Sequence, residues 1–417
     1  MKLKKTVILL MLVLLMLFVA TASATELNDI DTTLNHDSNL KDTNSADINN
    51  LKNSNEDGSF SNLNEELMNN TTKELKLEKN YKINSNDNES FKNGIYISKP
   101  ITIDGQGHTI DANSSARIFL ITSDNVTLKN ITFKNGWTSE GTVEIWGCNI
   151  TITDCKFIDC GSSRDGSAIY WDGTDRVNLN ITNCEFNNCY SRGDTGAIFT
   201  YGSHAIIDNC VFNNCYSLND AGVIYLMSSN STVSNCEFRN SSTKNNGGAV
   251  YVDGDENTIT DCTFYNSKVE SYYGGAIYVY DGDYNNITKC NFTISEAPYG
   301  GAIYIETQYT NVVNCNFEKS KSNQYGSAIY IRDAYNKITS CSFKDSEAYE
   351  GTLYVVAQEN KINNCNFTNS SAEQGSAIYI SSINCSVLNC NFKDCSASDK
   401  STIHFIGDNA VVYNCNS

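Results

Sequence analysis

The sequence predicts an all-β chain wound into a parallel β-helix solenoid of about 12–13 rungs behind a short helix/strand cap. Three observations carry this. The first is a period. Asn-Cys-x-Phe or a close variant recurs with cysteines at 155, 184, 210, 236, 262, 290, 315, 341, 365, 390 and 415, spaced by 24–29 residues. The second is a β-branched column. Three residues before these cysteines stand Ile152, Ile181, Ile207, Val233, Ile259, Ile287, Val312, Ile338, Ile362, Val387 and Val412. The third is an aromatic column. Two residues after the first ten cysteines stands phenylalanine, from Phe157 to Phe392. β-Branched and aromatic residues alternating with period two exclude helical repeats. Propeller blades need longer units, about 40–45 residues. A unit near 25 residues suits one turn of stacked parallel strands, which places equivalent residues ~4.8 Å apart.

In chain order, Lys2, Lys4 and Lys5 precede the apolar run Val7–Ala20 and the small-x-small site Ala22-Ser23-Ala24. Residues 1–24 therefore read as a secretory signal, the run being shorter than the ~20 residues of a membrane span. Residues 25–58 are rich in Asn, Asp, Ser and Thr and are expected to be a disordered linker. Residues 59–94 are the expected cap, with Leu63, Leu67 and Met68 on a short helix and Leu75, Leu77 and Tyr81 on a strand. Residues 95–417 are the expected β-helix, opening with degenerate copies at Ile101–Ile110 and Val126–Phe133.

Within each unit, Asn holds seven of the eleven places before the column cysteine and Asp two. Residues that tolerate left-handed backbone there suit a corner between two sides of the coil. Each unit opens on another phrase, small-Ala-Ile-Tyr, as in Gly275–Tyr278, Gly301–Tyr304 and Ser376–Tyr379.

The Gly-Gly-Ala-Ile phrases Gly274–Ile277 and Gly300–Ile303, alternating with Phe-x-Asn, resemble the repeat of polymorphic outer-membrane proteins. The layout of signal, polar linker, cap, Ile103-Asp-Gly-Gln-Gly-His-Thr-Ile110 opening and coil is similar to adhesin-like surface proteins of methanogenic archaea. The resemblance implies a right-handed helix of the pectin-lyase type. It also implies a secreted or cell-surface protein, non-enzymatic, that meets glycan or another cell surface. The pectin-lyase fold also hosts lyases, hydrolases and epimerases, so a polysaccharide-active enzyme is the alternative.

The chain carries a formal charge of −18, and without its first 24 residues 27 basic side chains face 48 acidic ones. That balance argues against nucleic acid and against anionic lipid. No second apolar run follows the signal, so no transmembrane helix is expected after it. Of the 17 cysteines, eleven share one inward column, an odd number that cannot fully pair. A second column reads Cys160, Cys189 and Cys215, then Ser at 241, 267, 295, 320, 346 and 370, then Cys395. Exchange with serine marks a small-residue site, so a ladder of buried free thiols is expected ahead of partial disulfides. No Cys-x-x-Cys occurs, so zinc is not expected, and neither is any cofactor.

Three groups are candidate sites. Asp253, Glu306 and Arg332 are the one constellation comparable to a lyase centre; a plain surface ion pair explains Glu306 and Arg332 more simply. Asp253, Asp255, Asp281 and Asp283 lie on neighbouring acidic turns and are the calcium candidates, against ordinary turn chemistry. Tyr225, Tyr251, Tyr278, Tyr304, Tyr330, Tyr354 and Tyr379 are the ligand-binding candidates. Apolar residues flank them, as Ile303 and Ile305 flank Tyr304, so alternation predicts the tyrosines outside as a solvent-facing ladder. Beside it a trough of Ala302, Ala328 and Ala377 is expected. Fifteen Asn-x-Ser/Thr sequons make glycosylation an expectation. The last repeat stops at Ser417, where phenylalanine is expected, and end-to-end self-association follows as an expectation from an open edge.

Overall fold

The computed structural model describes residues 57–173 and 176–416. The expected signal at 1–24 and nearly all of the expected linker at 25–58 lie outside the described residues.

Each rung is built from three short parallel strands separated by corners. In one central rung these are Ile303–Ile305, Asn311–Val313 and Asn316–Glu318. Stacking generates a thirteen-stranded sheet centred on the Ala-Ile-Tyr phrase and a fourteen-stranded sheet holding the β-branched column. The third sheet holds phenylalanine. We call them the tyrosine, isoleucine and phenylalanine sheets. All pairings are parallel, and apart from shifts at Ser162/Asp165 and Val252/Asp253 they keep register, for example Ile303↔Ile329, Val312↔Ile338 and Phe317↔Phe343.

The corners explain why this sequence coils. The residue before each column cysteine has positive φ, as at Asn183 (54°), Asn209 (51°) and Asn364 (55°). The same bend recurs five residues on, at Asn188, Asn214 and Asn369. Asparagine tolerates this backbone and ties successive rungs side chain to side chain. Asn209 Nδ2 donates to Asn183 Oδ1 at 2.8 Å, and Asn414 Nδ2 to Asn389 Oδ1 at 2.8 Å.

Inside, the phenylalanines from Phe133 to Phe392 stack ring on ring. Phe157 and Phe186 lie 4.9 Å apart at 2°, Phe292 and Phe317 4.7 Å apart at 3°. All ten expected column members are buried. Facing them are the isoleucine column and the residues flanking each tyrosine, such as Ile303 and Ile305. Ala302, Ala328 and Ala377 also belong to this core and are fully buried. This corrects the expected alanine trough. The alanines precede the strand, in a corner that follows a left-handed glycine such as Gly300 (φ 61°), so strand alternation does not govern where they point.

All 17 cysteines are free thiols. Column thiols donate to the carbonyl two residues back and to the rung before, as Cys210 does to Asp208 O (3.3 Å) and Ile181 O (3.7 Å). The Cys341 thiol is pushed up to about 12, first by hydrogen bonding with Cys315 and then by burial. Such thiols are inert. In the second column the hydroxyls of Ser241, Ser267, Ser295, Ser320, Ser346 and Ser370 are buried and make no hydrogen bond.

At the N-terminal end the helix Phe60–Asn69 turns Phe60, Leu63 and Leu67 into the core. A capping box starts it: Ser59 Oγ accepts from Asn62 N (3.1 Å) and Asn62 Oδ1 from Ser59 N (3.0 Å). No helix among the described residues is long and apolar enough to cross a membrane.

Candidate functional site

The seven candidate tyrosines occupy one register column, Tyr225↔Tyr251↔Tyr278↔Tyr304↔Tyr330↔Tyr354↔Tyr379, which ends on His404. They stand on the outer side of the tyrosine sheet, opposite the isoleucines. They are not open to solvent, which corrects the expected exposed ladder. Tyr278 and Tyr304 are each 3% exposed, and Tyr251, Tyr354 and Tyr379 are buried as well; Tyr225 and Tyr330 are half-buried.

What covers Tyr278, Tyr304, Tyr330 and Tyr354 is a second tyrosine row from the preceding turn. Tyr273, Tyr299 and Tyr325 are linked rung to rung by isolated parallel bridges. Tyr273 lies 4.3 Å from Tyr304, and Tyr325 4.7 Å from Tyr354. This outer row is half-buried and leads to exposed Tyr272 and Tyr349. The sequence signal for it was the residue before Gly-Gly or Gly-Ser, as in Tyr273-Gly-Gly, Tyr299-Gly-Gly and Tyr325-Gly-Ser.

In earlier rungs the same column carries Asp165, Asp194 and Asp220. Burial, then repulsion from Asp194, pushes the Asp165 and Asp220 carboxyls up to about 6. Burial raises Asp194 too. The outer column thus passes from carboxylates through Asn246 to three phenols and then to Glu350 and Gln374.

Hydroxyls of the inner row find acidic partners. Tyr225 donates to Asp253 Oδ2 (3.2 Å) and Tyr278 to Glu306 Oε2 (2.7 Å). Arg332 closes an ion pair on Glu306. Burial raises the Asp253 carboxyl, and burial pushes the Tyr330 phenol up to about 12. The enzyme constellation is therefore split. Glu306 and Arg332 meet, whereas Asp253 sits two rungs away, ~10 Å by strand spacing, with Tyr278 and Tyr280 on the strand between.

The calcium candidates do not converge either. Asp255 Oδ1 accepts from Asp283 N (2.8 Å), Asp281 Oδ1 from Gly282 N (2.8 Å) and Asp283 Oδ1 from Gln308 N (3.0 Å). These carboxylates fasten turns. Among the described residues no group of three or more His, Cys, Asp and Glu side chains is placed to hold a metal ion.

Beside the outer tyrosine row runs an open groove of about 620 Å³. Its walls include Lys268, Glu296, Pro298, Lys321, Glu347 and Tyr349. Two cross-rung pairs line it, Lys268–Glu296 (3.6 Å) and Lys321–Glu347 (3.2 Å).

The repeat matches a family model described as the right handed beta helix region over residues 141–293 and 248–417, together more than half the chain. The chain belongs to this family. No curated protein matches it. Among solved structures it is similar to the A-module of a mannuronan C-5 epimerase from Azotobacter vinelandii. That match has 10% identity and a TM-score of 0.46, and covers 76% of this chain and 91% of the other. It is also similar to the catalytic domain of an α-1,3-glucanase in complex with nigerose, at 11% identity and TM-score 0.46, covering 91% of this chain and 70% of the other. An alginate lyase matches at 10% identity and TM-score 0.37, covering 86% and 79%. What those proteins act on is a property of theirs.

Proposed function

We propose that this β-helix is an exported, adhesin-like binding scaffold that is not an enzyme and that presents its tyrosine face to a glycan at a cell surface. The observation that supports it is the groove of about 620 Å³ whose walls carry Tyr349 and two cross-rung Lys–Glu pairs. Its volume falls in the range of ligand sites, roughly 300–1,000 Å³. Lys–Glu pairs supply donors and acceptors for sugar hydroxyls, and Tyr349 supplies an amphipathic edge. The inner row is support: it holds the outer row in place and is itself shut from solvent. Secretion rests on the signal-like residues 1–24.

A polysaccharide-active enzyme is the second reading, and the contact that favours it is the Tyr278–Glu306–Arg332 cluster on the same face. The two readings part on one experiment. The full chain is applied to a glycan array, and each bound oligosaccharide is then incubated with it and analysed for new reducing ends or unsaturated products. The scaffold reading expects specific retention without product. Turnover abolished by Glu306→Gln would establish the enzyme instead, and retention of no glycan would remove the scaffold reading.

A further inference from the structure

The turn between the tyrosine and isoleucine sheets carries another aromatic feature, on different residues. Its left-handed position holds asparagine in many rungs: Asn125, Asn149, Asn178, Asn230, Asn384 and Asn409 have φ of 55–64°. Three consecutive rungs instead hold Tyr284 (62°), Tyr309 (56°) and Tyr335 (65°). A ring is an uncommon tenant of this backbone. All three rings project into solvent, 54%, 37% and 39% exposed.

They stack in a column. Tyr284 and Tyr309 are 4.9 Å apart at 5°, Tyr309 and Tyr335 5.3 Å apart at 10°. The turn beneath them is fixed by buried asparagines. Asn285 Oδ1 accepts from Asn257 N at 2.8 Å, and Asn336 Oδ1 from Thr310 N at 2.7 Å. The strip is therefore a rigid platform. Within the stack the ring faces are spent on one another, and free faces remain only at its two ends.

The next rung in each direction places a glutamate in the same column, Glu256 before Tyr284 and Glu359 after Tyr335. Asp255, Asp281, Asp283 and Asp333 crowd the same turns. Among the described residues none of these six carboxylates pairs with Lys or Arg; the one arginine there, Arg332, is taken by Glu306. Free aromatic faces beside unpaired carboxylates suit a cation. The planar guanidinium suits them best, because it can stack on a ring and fork onto a carboxylate together.

We propose that this strip docks an arginine-bearing polypeptide segment, one guanidinium on the free face of Tyr284 with Glu256 and a second on Tyr335 with Glu359. The two arginines then stand roughly 17 Å apart, about five residues of extended chain. This site shares no residue with the glycan groove and stands or falls separately.

The test uses the full chain and a labelled Gly/Ser peptide carrying two arginines five residues apart, read by fluorescence anisotropy at roughly 0.15 M salt. The control peptide replaces both arginines with lysine. The decisive variant is Tyr284→Asn/Tyr309→Asn/Tyr335→Asn. It installs the residue other rungs carry, leaves the charge unchanged, and is checked for fold by circular dichroism. The arginine peptide should bind more tightly than the lysine peptide and lose about tenfold in affinity on the triple variant. Glu256→Gln/Glu359→Gln should also weaken it. Equal binding to wild type and the triple variant would reduce the effect to general attraction by an acidic chain and overturn the proposal. Displacement of the peptide by a neutral oligosaccharide would overturn it as well, making the strip a sugar site.

Discussion

The phenylalanine stack inside and the tyrosine rows outside repeat on the same rungs, yet only one of them is uniform. Inside, neighbouring rings from Phe157 to Phe343 are parallel within 14°. Outside, Tyr251 and Tyr278 meet at 89° and Tyr278 and Tyr304 at 62°, while Tyr304 and Tyr330 return to 11°. The inner ring is walled by isoleucine and cysteine columns and has one arrangement that leaves no void. The tyrosine ring has a hydroxyl to satisfy, so it tilts toward Asp253 or Glu306 where one is present. The phenylalanine stack is set by packing alone; the buried tyrosine row varies rung by rung with the polar partners its hydroxyls find.

The comparison breaks first at the core. Phe264→Ala or Phe317→Ala opens a cavity between two stacked rings and should cost ~3–5 kcal/mol in urea unfolding. Tyr304→Phe keeps the ring of the inner tyrosine row and removes a hydroxyl, and should cost under about 1.5 kcal/mol. If the two substitutions cost the same, the phenylalanine stack and the tyrosine row are not different kinds of ladder.

The second column sharpens it. Ser267 and Ser295 bury hydroxyls without a hydrogen bond, where earlier rungs keep Cys189 and Cys215. Ser295→Ala removes a desolvated polar atom from the core and should stabilise by ~1 kcal/mol, read as a higher urea midpoint. Destabilisation would mean that the hydroxyl has a partner in solution, such as a buried water.

The smallest effect concerns pH. The folded-state carboxyls of Asp165 and Asp220 lie at about 6, above the unfolded value near 3.9. Between pH ~4 and ~6 the folded chain holds more protons than the unfolded one, so this column's contribution falls as pH rises through that window. Asp104 and Asp111, held low by hydrogen bonds and by Lys129 and Lys82, act oppositely and lose their contribution only as pH falls below the usual carboxylate range. Asp194→Asn removes the shared repulsion. The variant should gain stability at pH 7 and show a flatter profile between pH 4 and 6, measured by thermal unfolding. An unchanged profile would mean that the three carboxylates do not interact.

The inside was legible in the sequence because close packing tolerates one residue per column: β-branched before the cysteine, phenylalanine after it. The left-handed corners were legible too, through Asn183 and its equivalents. The outside was legible only in part. Alternation put Tyr304 on the outer side, but it could not show that Tyr273 from a neighbouring turn lies across it, since that contact depends on the path of the turn. It also failed for Ala302, which lies in a corner outside the strand. Tyr284, Tyr309 and Tyr335 carried a readable signal, rings in a column otherwise rich in asparagine, and it is visible only once the turn is aligned by its backbone.

In the proposed division of labour the outer tyrosine row binds and the inner row supports. Tyr299→Ser/Tyr325→Ser/Tyr349→Ser is compared with wild type on the same samples, by titration of an array-selected oligosaccharide and by urea unfolding. Glycan affinity should fall at least about tenfold while the unfolding midpoint moves little, these side chains being half-buried or exposed. Undiminished affinity in the folded variant would contradict it and return the tyrosine face to a purely structural role.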